Sequence, residues 1–152
     1  MGIEHLPLTP VDIQRAATRR VAELRVQVKA VWQSLDEKWL PIYQGKALDR
    51  GVSNCACCQQ FRIDSDGIDT GCDGCPIFED TGQITCGGTP YARFAARNAI
   101  VRTNTFPMSG PKERSRDYMY REYAYQEYEY LAQLALNLTE DLWLAEQLWE
   151  AN

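Results

Sequence analysis

The first 40 residues carry one long helical pattern of apolar positions. Those positions recur at spacings of three and four: Ile13, Ala17, Val21, Leu24, Val28, Val31 and Leu35. Thr9 and Pro10 form an N-cap and a first helical position, and Asp12 places a carboxylate in the first turn. The pattern predicts one helix of roughly 28–30 residues that ends near Pro41. Such a helix cannot bury its apolar seam alone, so we expect it to pack on C-terminal helices or on a second copy of the chain.

The C-terminal part of the chain is also predicted to be helical. Thr89 and Pro90 repeat the N-cap and first-position signal, which predicts a short helix over about 91–101. After a proline-containing loop, a second long helix is expected over about 112–136. The polar residues around Thr139 suggest a break, with Thr139 as the N-cap of a last helix that continues to about residue 150.

Residues 41–88 have a different composition, rich in glycine and aspartate and without helical periodicity. All six cysteines of the chain lie there. A segment of this kind cannot build a conventional apolar core, so it needs a metal or cross-links. We therefore divide the chain into a long N-terminal helix (1–40), a cysteine-rich metal-binding module (41–88) and a C-terminal helical region (89–152). The expected fold is mainly α, with a small zinc-ribbon-like module and the N-terminal helix packed on the C-terminal helices.

The cysteine spacing predicts a metal site. Cys55 and Cys58 form one CxxC pair, and Cys72 and Cys75 form a second. A CxxC turn directs two thiolates at one ion and turns backbone amides toward the sulfurs, and two such turns complete a tetrahedral Cys₄ zinc site. We expect one structural Zn²⁺ per chain. A closed site of this type has no open coordination position, so it is not catalytic.

The exact ligand set stays open at the sequence level. Cys86 is a fifth candidate ligand, whereas Cys57, inside the first pair, is expected to point away from the site. An iron–sulfur cluster is the runner-up cofactor because it also uses cysteine ligands, although the spacing differs from the common ferredoxin patterns. A disulfide framework and a redox-active CxxC are weaker alternatives, since neither a secretion signal nor a βαβ pattern accompanies the cysteines.

Charge is unevenly distributed along a chain whose formal net charge is −5. Residues 87–121 are basic, whereas residues 122–152 contain no lysine or arginine. The arginines of the basic segment form a candidate nucleic-acid or partner-binding surface: Arg93, Arg97, Arg102, Arg114, Arg116 and Arg121. The alternative is that they pair with the acidic C-terminal helix or lie on a solvated face.

Several function classes are disfavoured by what the sequence contains. The single histidine, His5, argues against chemistry that needs two or more histidines. No apolar run reaches the roughly 18 residues of a membrane span, and no secretory signal is recognisable. The acidic residues of the middle segment fit turns between short strands better than a catalytic carboxylate pair. We therefore expect a non-enzymatic, cytoplasmic protein without a membrane partner.

Three cysteine motifs follow one another in the chain: Cys55-x₂-Cys58, Cys72-x₂-Cys75-Pro76 and Cys86-Gly-Gly-Thr89-Pro90-Tyr91. Their order resembles a group of small uncharacterised bacteriophage and prophage proteins, in which a CxxC, a CxxCP and a final Cys before a Gly-Thr-Pro-Tyr turn precede helices. The resemblance covers about residues 55–95. It implies a metal-stabilised module and a viral origin, and it supplies no activity.

The resemblance and the spacing together lead to one leading function and two alternatives. The leading expectation is a zinc-stabilised, phage-encoded protein that recognises or inhibits a host protein or protein complex in the host cytoplasm. The first alternative is a zinc-ribbon regulator that binds nucleic acid through the basic segment. The second is an iron–sulfur or metal-dependent enzyme.

Overall fold

The computed structural model describes residues 9–62, 66, 71–104 and 110–151. Within these residues the regular structure is helical and contains no strand. The α-helices are α1 Pro10–Ser34, α2 Leu40–Tyr43, α3 Ala56–Phe61, α4 Pro76–Thr81, α5 Tyr91–Asn104, α6 Pro111–Arg114 and α7 Tyr118–Ala151. A π-helical turn, Leu35–Trp39, joins α1 to α2, and short 3₁₀ turns span Gly51–Asn54 and Ile84–Cys86. The mainly α fold is thus confirmed, whereas the described part of residues 41–88 shows helices and turns instead of a ribbon.

The two long helices, α1 and α7, lie antiparallel. Trp32 Nε1, near the end of α1, donates to Thr139 Oγ1 at 3.3 Å, and Trp149 Nε1, near the end of α7, donates to Thr18 Oγ1 at 3.1 Å. Val21, Leu24, Val31 and Leu35 of the predicted seam are buried and Val28 is partly buried, while Ile13 stays exposed. The expected packing of the N-terminal helix on the C-terminal region is therefore observed. None of the described helices has the length and apolar composition of a membrane-spanning segment.

The first helix begins as predicted and ends differently. Thr9 and Asp12 form a reciprocal capping box, with Asp12 N–H donating to Thr9 Oγ1 at 3.1 Å. The predicted end at Pro41 is wrong, because the chain stays helical through a π turn. There the Leu40 N–H donates to the Leu35 carbonyl, five residues back. The wider turn lets Pro41, which has no N–H, lie in the first turn of α2 without breaking the helical path.

The break predicted at residues 137–139 is also wrong, because α7 is continuous there. Thr139 Oγ1 donates to the Ala135 carbonyl at 2.7 Å within the helix, instead of capping a new one. Leu138 is buried in the core, and its packing favours an unbroken helix over the local turn preference. The long helix begins at Tyr118 rather than near residue 112, and most of the predicted loop before α6 lies outside the described residues.

An aromatic cluster fixes α5 against α7 and the π turn. Phe94 is fully buried, with its ring centroid 5.1 Å from Trp39 and 4.9 Å from Tyr120. Tyr91, one turn earlier, packs edge-on against Trp39 at 5.7 Å. This cluster holds the N-terminal end of α5, and with it the turn that follows Cys86, close to the two long helices.

Candidate metal centre

All six cysteines line one small cavity of about 20 Å³. It lies where α3, α4 and the Ile84–Cys86 turn meet α1. Arg62, Ile77, Phe78 and Gln83 complete its wall. Every cysteine is a free thiol. The five candidate ligands chosen from the sequence (Cys55, Cys58, Cys72, Cys75 and Cys86) are thus brought to one place, together with Cys57.

Cys55 is the centre of the hydrogen-bond network among the sulfurs. It is the N-cap of α3, and its Sγ accepts the backbone N–H of Cys58 at 3.4 Å. The thiols of Cys57 and Cys58 donate to the same sulfur, and these hydrogen bonds lower the pKa of Cys55 to about 2. The same interaction raises the pKa of Cys58. The prediction that backbone amides turn toward the sulfurs is confirmed in this turn.

The side chain of Cys57 lies on the opposite side of its turn from the one predicted. Cys57 was expected to point away from the site, but its side chain is fully buried and lines the cavity. Its backbone N–H donates to Ser34 Oγ of α1 at 3.4 Å, which orients the first turn of α3. Hydrogen bonds from its thiol to Cys55 and Cys75 raise the pKa of Cys57. Cys57 therefore joins the two CxxC turns and belongs to the set of candidate ligands.

The second CxxC turn has the shape that its glycine and proline predict. Gly74 has a φ of +81°, a left-handed conformation that favours glycine, and Pro76 begins α4. Cys75 is the N-cap of α4. The Cys57 thiol donates to its sulfur, and together with the nearby backbone N–H groups of α4 this lowers the pKa of Cys75 to about 7.

Cys86 is held in an unusual backbone conformation. Among the described residues it is the only non-glycine with a positive φ, at +59°. Its carbonyl accepts the Thr89 hydroxyl at 2.9 Å, and Thr89 Oγ1 in turn accepts the Tyr91 N–H at 3.1 Å. The predicted cap at Thr89 is therefore confirmed, and it fixes the position of Cys86 as well. Burial raises the pKa of the Cys86 thiol to about 12. Backbone strain of this kind clusters at functional sites.

The donor set fits a soft divalent metal. In the described part of the chain, no three Cys, His, Asp or Glu side chains are yet spaced to coordinate one ion. The thiols instead hydrogen-bond to one another. Sulfur is nevertheless the donor that zinc prefers in structural sites, and the sulfur of Cys55 accepts a backbone amide hydrogen bond that stabilises a thiolate. The small volume suits single ions placed between sulfurs.

A second, larger cavity of about 130 Å³ adjoins the first. It shares Cys55, Cys58 and Cys86 with the smaller one. Lys38 lines this cavity and forms a buried ion pair, with Nζ 3.0 Å from Asp49 Oδ1. Lys38 also donates to the Gly51 carbonyl at 3.1 Å, and the Tyr91 hydroxyl donates to Asp49 Oδ2 at 2.6 Å.

Glu127 of α7 faces this larger cavity. Glu127 is only 1% exposed, and burial raises the pKa of its carboxyl group to about 7. The Thr89 side chain and the Tyr91 backbone N–H lie near the carboxylate and act in the opposite direction, lowering its pKa. Its Oε2 has no hydrogen-bond partner among the described residues. The sequence analysis missed Glu127, because nothing in the sequence separates it from the other acidic residues of the C-terminal helix.

Two arginines of the basic segment are engaged inside the fold. Arg97 makes a bidentate ion pair with Asp117, at 2.9 Å from Nε and 2.6 Å from Nη2. Arg114 is buried, and its Nη1 donates to Asn98 Oδ1 at 3.0 Å. These contacts fix α5 against the segment between α6 and α7.

The other four arginines of the candidate surface are more accessible. Arg93 Nη1 donates to Gln126 Oε1 of α7 at 3.4 Å. The guanidinium carbon of Arg121 lies 5.3 Å from the ring centroid of Tyr43 in α2. Arg102 and Arg116 are exposed. The structure thus divides the six arginines between internal contacts and the surface.

Comparison with protein-family models, with curated proteins and with solved structures finds no match to this chain. The chemistry of the two cavities is therefore inferred from the chain's own residues alone.

Proposed function

We propose that the chain is a non-enzymatic binding protein, phage-encoded, whose cysteine module is built around structural zinc. The observation that carries the zinc proposal is the convergence of all six thiols on one buried cavity. The resemblance of the three cysteine motifs to small phage proteins supports the viral origin.

A structural role fits the position of the cysteines better than a catalytic one. Cys55, Cys57 and Cys75 are buried, and the cavity lies between helices rather than in an open cleft. Zinc bound only by protein ligands has no position for substrate. Bound zinc would tie α3 and α4, which are each only 6 residues long, to each other.

The binding role is supported by apolar surface at the far end of the helix pair. Toward the end of α7, three large apolar side chains are exposed: Trp143, Leu144 and Leu148. Exposed apolar groups concentrated in one region are typical of protein-binding surfaces. A host protein or protein complex is therefore the partner that we propose. The internal engagement of Arg97 and Arg114 gives the nucleic-acid alternative less support.

The zinc proposal is tested by elemental analysis and a visible spectrum of protein purified without oxygen. We expect at least one zinc per chain and no visible absorption band. Cys55→Ser should lose zinc, while Gln60→Ser, a change at an exposed position of the same helix, should retain it. A strong metal chelator should lower the melting temperature of the wild type. Iron with a charge-transfer band would instead support the cluster alternative, and absence of any metal would contradict the proposal.

The binding proposal is tested by affinity capture from bacterial lysate. A triple variant, Trp143→Ser, Leu144→Ser and Leu148→Ser, should lose a partner that the wild type captures. The control changes exposed polar positions of the same helix to serine: Gln133, Glu140 and Gln147. Equal capture by the wild type and both variants would contradict a role for the apolar surface.

A further inference from the structure

The larger cavity holds an unexplained set of donor atoms. Three sulfurs line it, those of Cys55, Cys58 and Cys86, and Glu127 stands beside them. Three sulfurs and one carboxylate oxygen make four donors, the number that a tetrahedral divalent ion requires.

The carboxylate of Glu127 is the first observation that points to a ligand. A buried polar atom without a partner is costly, and a buried charge more so. Lys38 stands on the wall of the same cavity, but its ammonium group is bound to Asp49 and to the Gly51 carbonyl. Oε2 of Glu127 has no hydrogen-bond partner among the described residues.

The backbone of Cys86 is a second, independent observation. The positive φ of this residue is sterically unfavourable for a side chain larger than glycine. Thr89 maintains it through the hydroxyl bond to the Cys86 carbonyl. The Thr89 side chain also lies near the Glu127 carboxylate. The turn that holds Cys86 therefore stands beside Glu127, and both residues line the larger cavity.

We propose that the larger cavity is a second divalent-metal site, so that the chain binds two zinc ions. The ligands of this second ion are Cys55, Cys58, Cys86 and Glu127. The ligands of the first ion, in the smaller cavity, are Cys55, Cys57, Cys72 and Cys75. This assignment rests on the proposed zinc function and extends it.

Cys55 is the bridging ligand in this assignment. Its sulfur already receives the thiols of both Cys57 and Cys58, one from each group of ligands. With Cys55 shared, six cysteines and one glutamate complete two tetrahedra with no donor left over. A second divalent ion also adds positive charge beside the additional thiolates and the buried carboxylate, in a cavity whose wall already includes Lys38 and Arg62.

The test is the zinc content of the full chain after removal of weakly bound metal by a mild chelator and desalting. We expect about two zinc ions per chain for the wild type and about one for Glu127→Gln, given four donors per ion. Glu129→Gln, a change at an exposed position of the same helix, is the matched control and should retain two. X-ray absorption at the zinc edge of the wild type should show roughly one oxygen for every seven sulfur ligands.

The outcomes separate this inference from the zinc proposal. One zinc in the wild type, with sulfur ligands alone, overturns the second site and leaves the proposed function standing. No zinc overturns both. Two zinc ions in Glu127→Gln as well as in the wild type overturn the role of Glu127. Should Glu127→Gln fail to fold, the wild-type content and the oxygen ligand in its absorption spectrum still decide.

Discussion

Truncation of Phe94 is the sharpest test of how the helices are held around the cysteine module. The change Phe94→Ala removes a fully buried ring from the centre of the aromatic cluster. Trp39 on the π turn and Tyr120 on α7 both pack on that ring, with centroids 5.1 and 4.9 Å away. These two neighbours belong to separate elements, neither of them the helix that carries Phe94, so they cannot both move in freely to fill the space.

The expected loss follows from this burial. Replacing a buried phenylalanine by alanine typically costs about 3–5 kcal/mol in the free energy of unfolding, through lost apolar transfer and the space left behind. The edge-on contact with Trp39, at an interplanar angle of 82°, places the cost toward the upper end of that range. A domain of this size loses about 2–4 °C in melting temperature per kcal/mol. We therefore expect Phe94→Ala to melt roughly 6–20 °C below the wild type.

The assay is urea and thermal unfolding followed by circular dichroism, with the zinc content of each sample measured so that metal loss is not mistaken for lost packing. Ile100→Ala is the matched control, because Ile100 lies on the same helix and is 45% exposed. Its effect should stay within about 0.5 kcal/mol. A Phe94→Ala protein that loses less than about 1 kcal/mol would refute the argument, since the surroundings would then close over the site without penalty.

Two further predictions concern charged groups. Lys38→Met leaves Asp49 buried without its ion-pair partner and should cost about 3–5 kcal/mol in urea unfolding, whereas adding Asp49→Leu should recover part of that loss; a double variant less stable than the single one would count against this interpretation. The pKa of Asp117 is lowered from 3.8, first by its hydrogen bonds with Arg97. The ionised carboxylate therefore stabilises the fold above its unfolded pKa, and this contribution is lost as the pH falls through the lower folded value. The urea midpoints of wild type and Asp117→Asn should differ near neutral pH and converge in acid, and a gap that stays constant to about pH 2 would contradict the assignment.

Local signals predicted the beginnings of helices well and their ends poorly. The caps at Thr9 and Thr89 depend on a few neighbouring residues, so the sequence contains all the information needed. Whether the helix continues through residues 137–139 depends on α1, which packs along α7 on the other side of the fold. A local preference for a turn cannot show that Leu138 will be buried there.

In the candidate site, too, some features depend on neighbouring residues and others on tertiary packing. The CxxC spacings located the cysteine centre, because each pair forms its own turn. The inward position of Cys57 depends on Ser34 of α1, which orients α3. The place of Glu127 depends on the rotation of a 34-residue helix about its axis. Both depend on tertiary packing, and no spacing rule contains them.

The π turn is the irregular feature that connects the long helix to the cysteine centre. Ser34, Leu35, Lys38 and Trp39 are all buried and lie on one face of the helical path. The turn is one residue wider than an α-helical turn, and it accommodates Pro41 at the point where these side chains must face Cys57, Asp49 and Phe94. π turns are frequent at functional sites, because the extra residue redirects side chains without ending the helix. Pro41 therefore favours a distortion that places the Lys38 ammonium and the Trp39 ring beside the sulfurs, and a residue that first looks like a helix terminator helps to build the wall of the site.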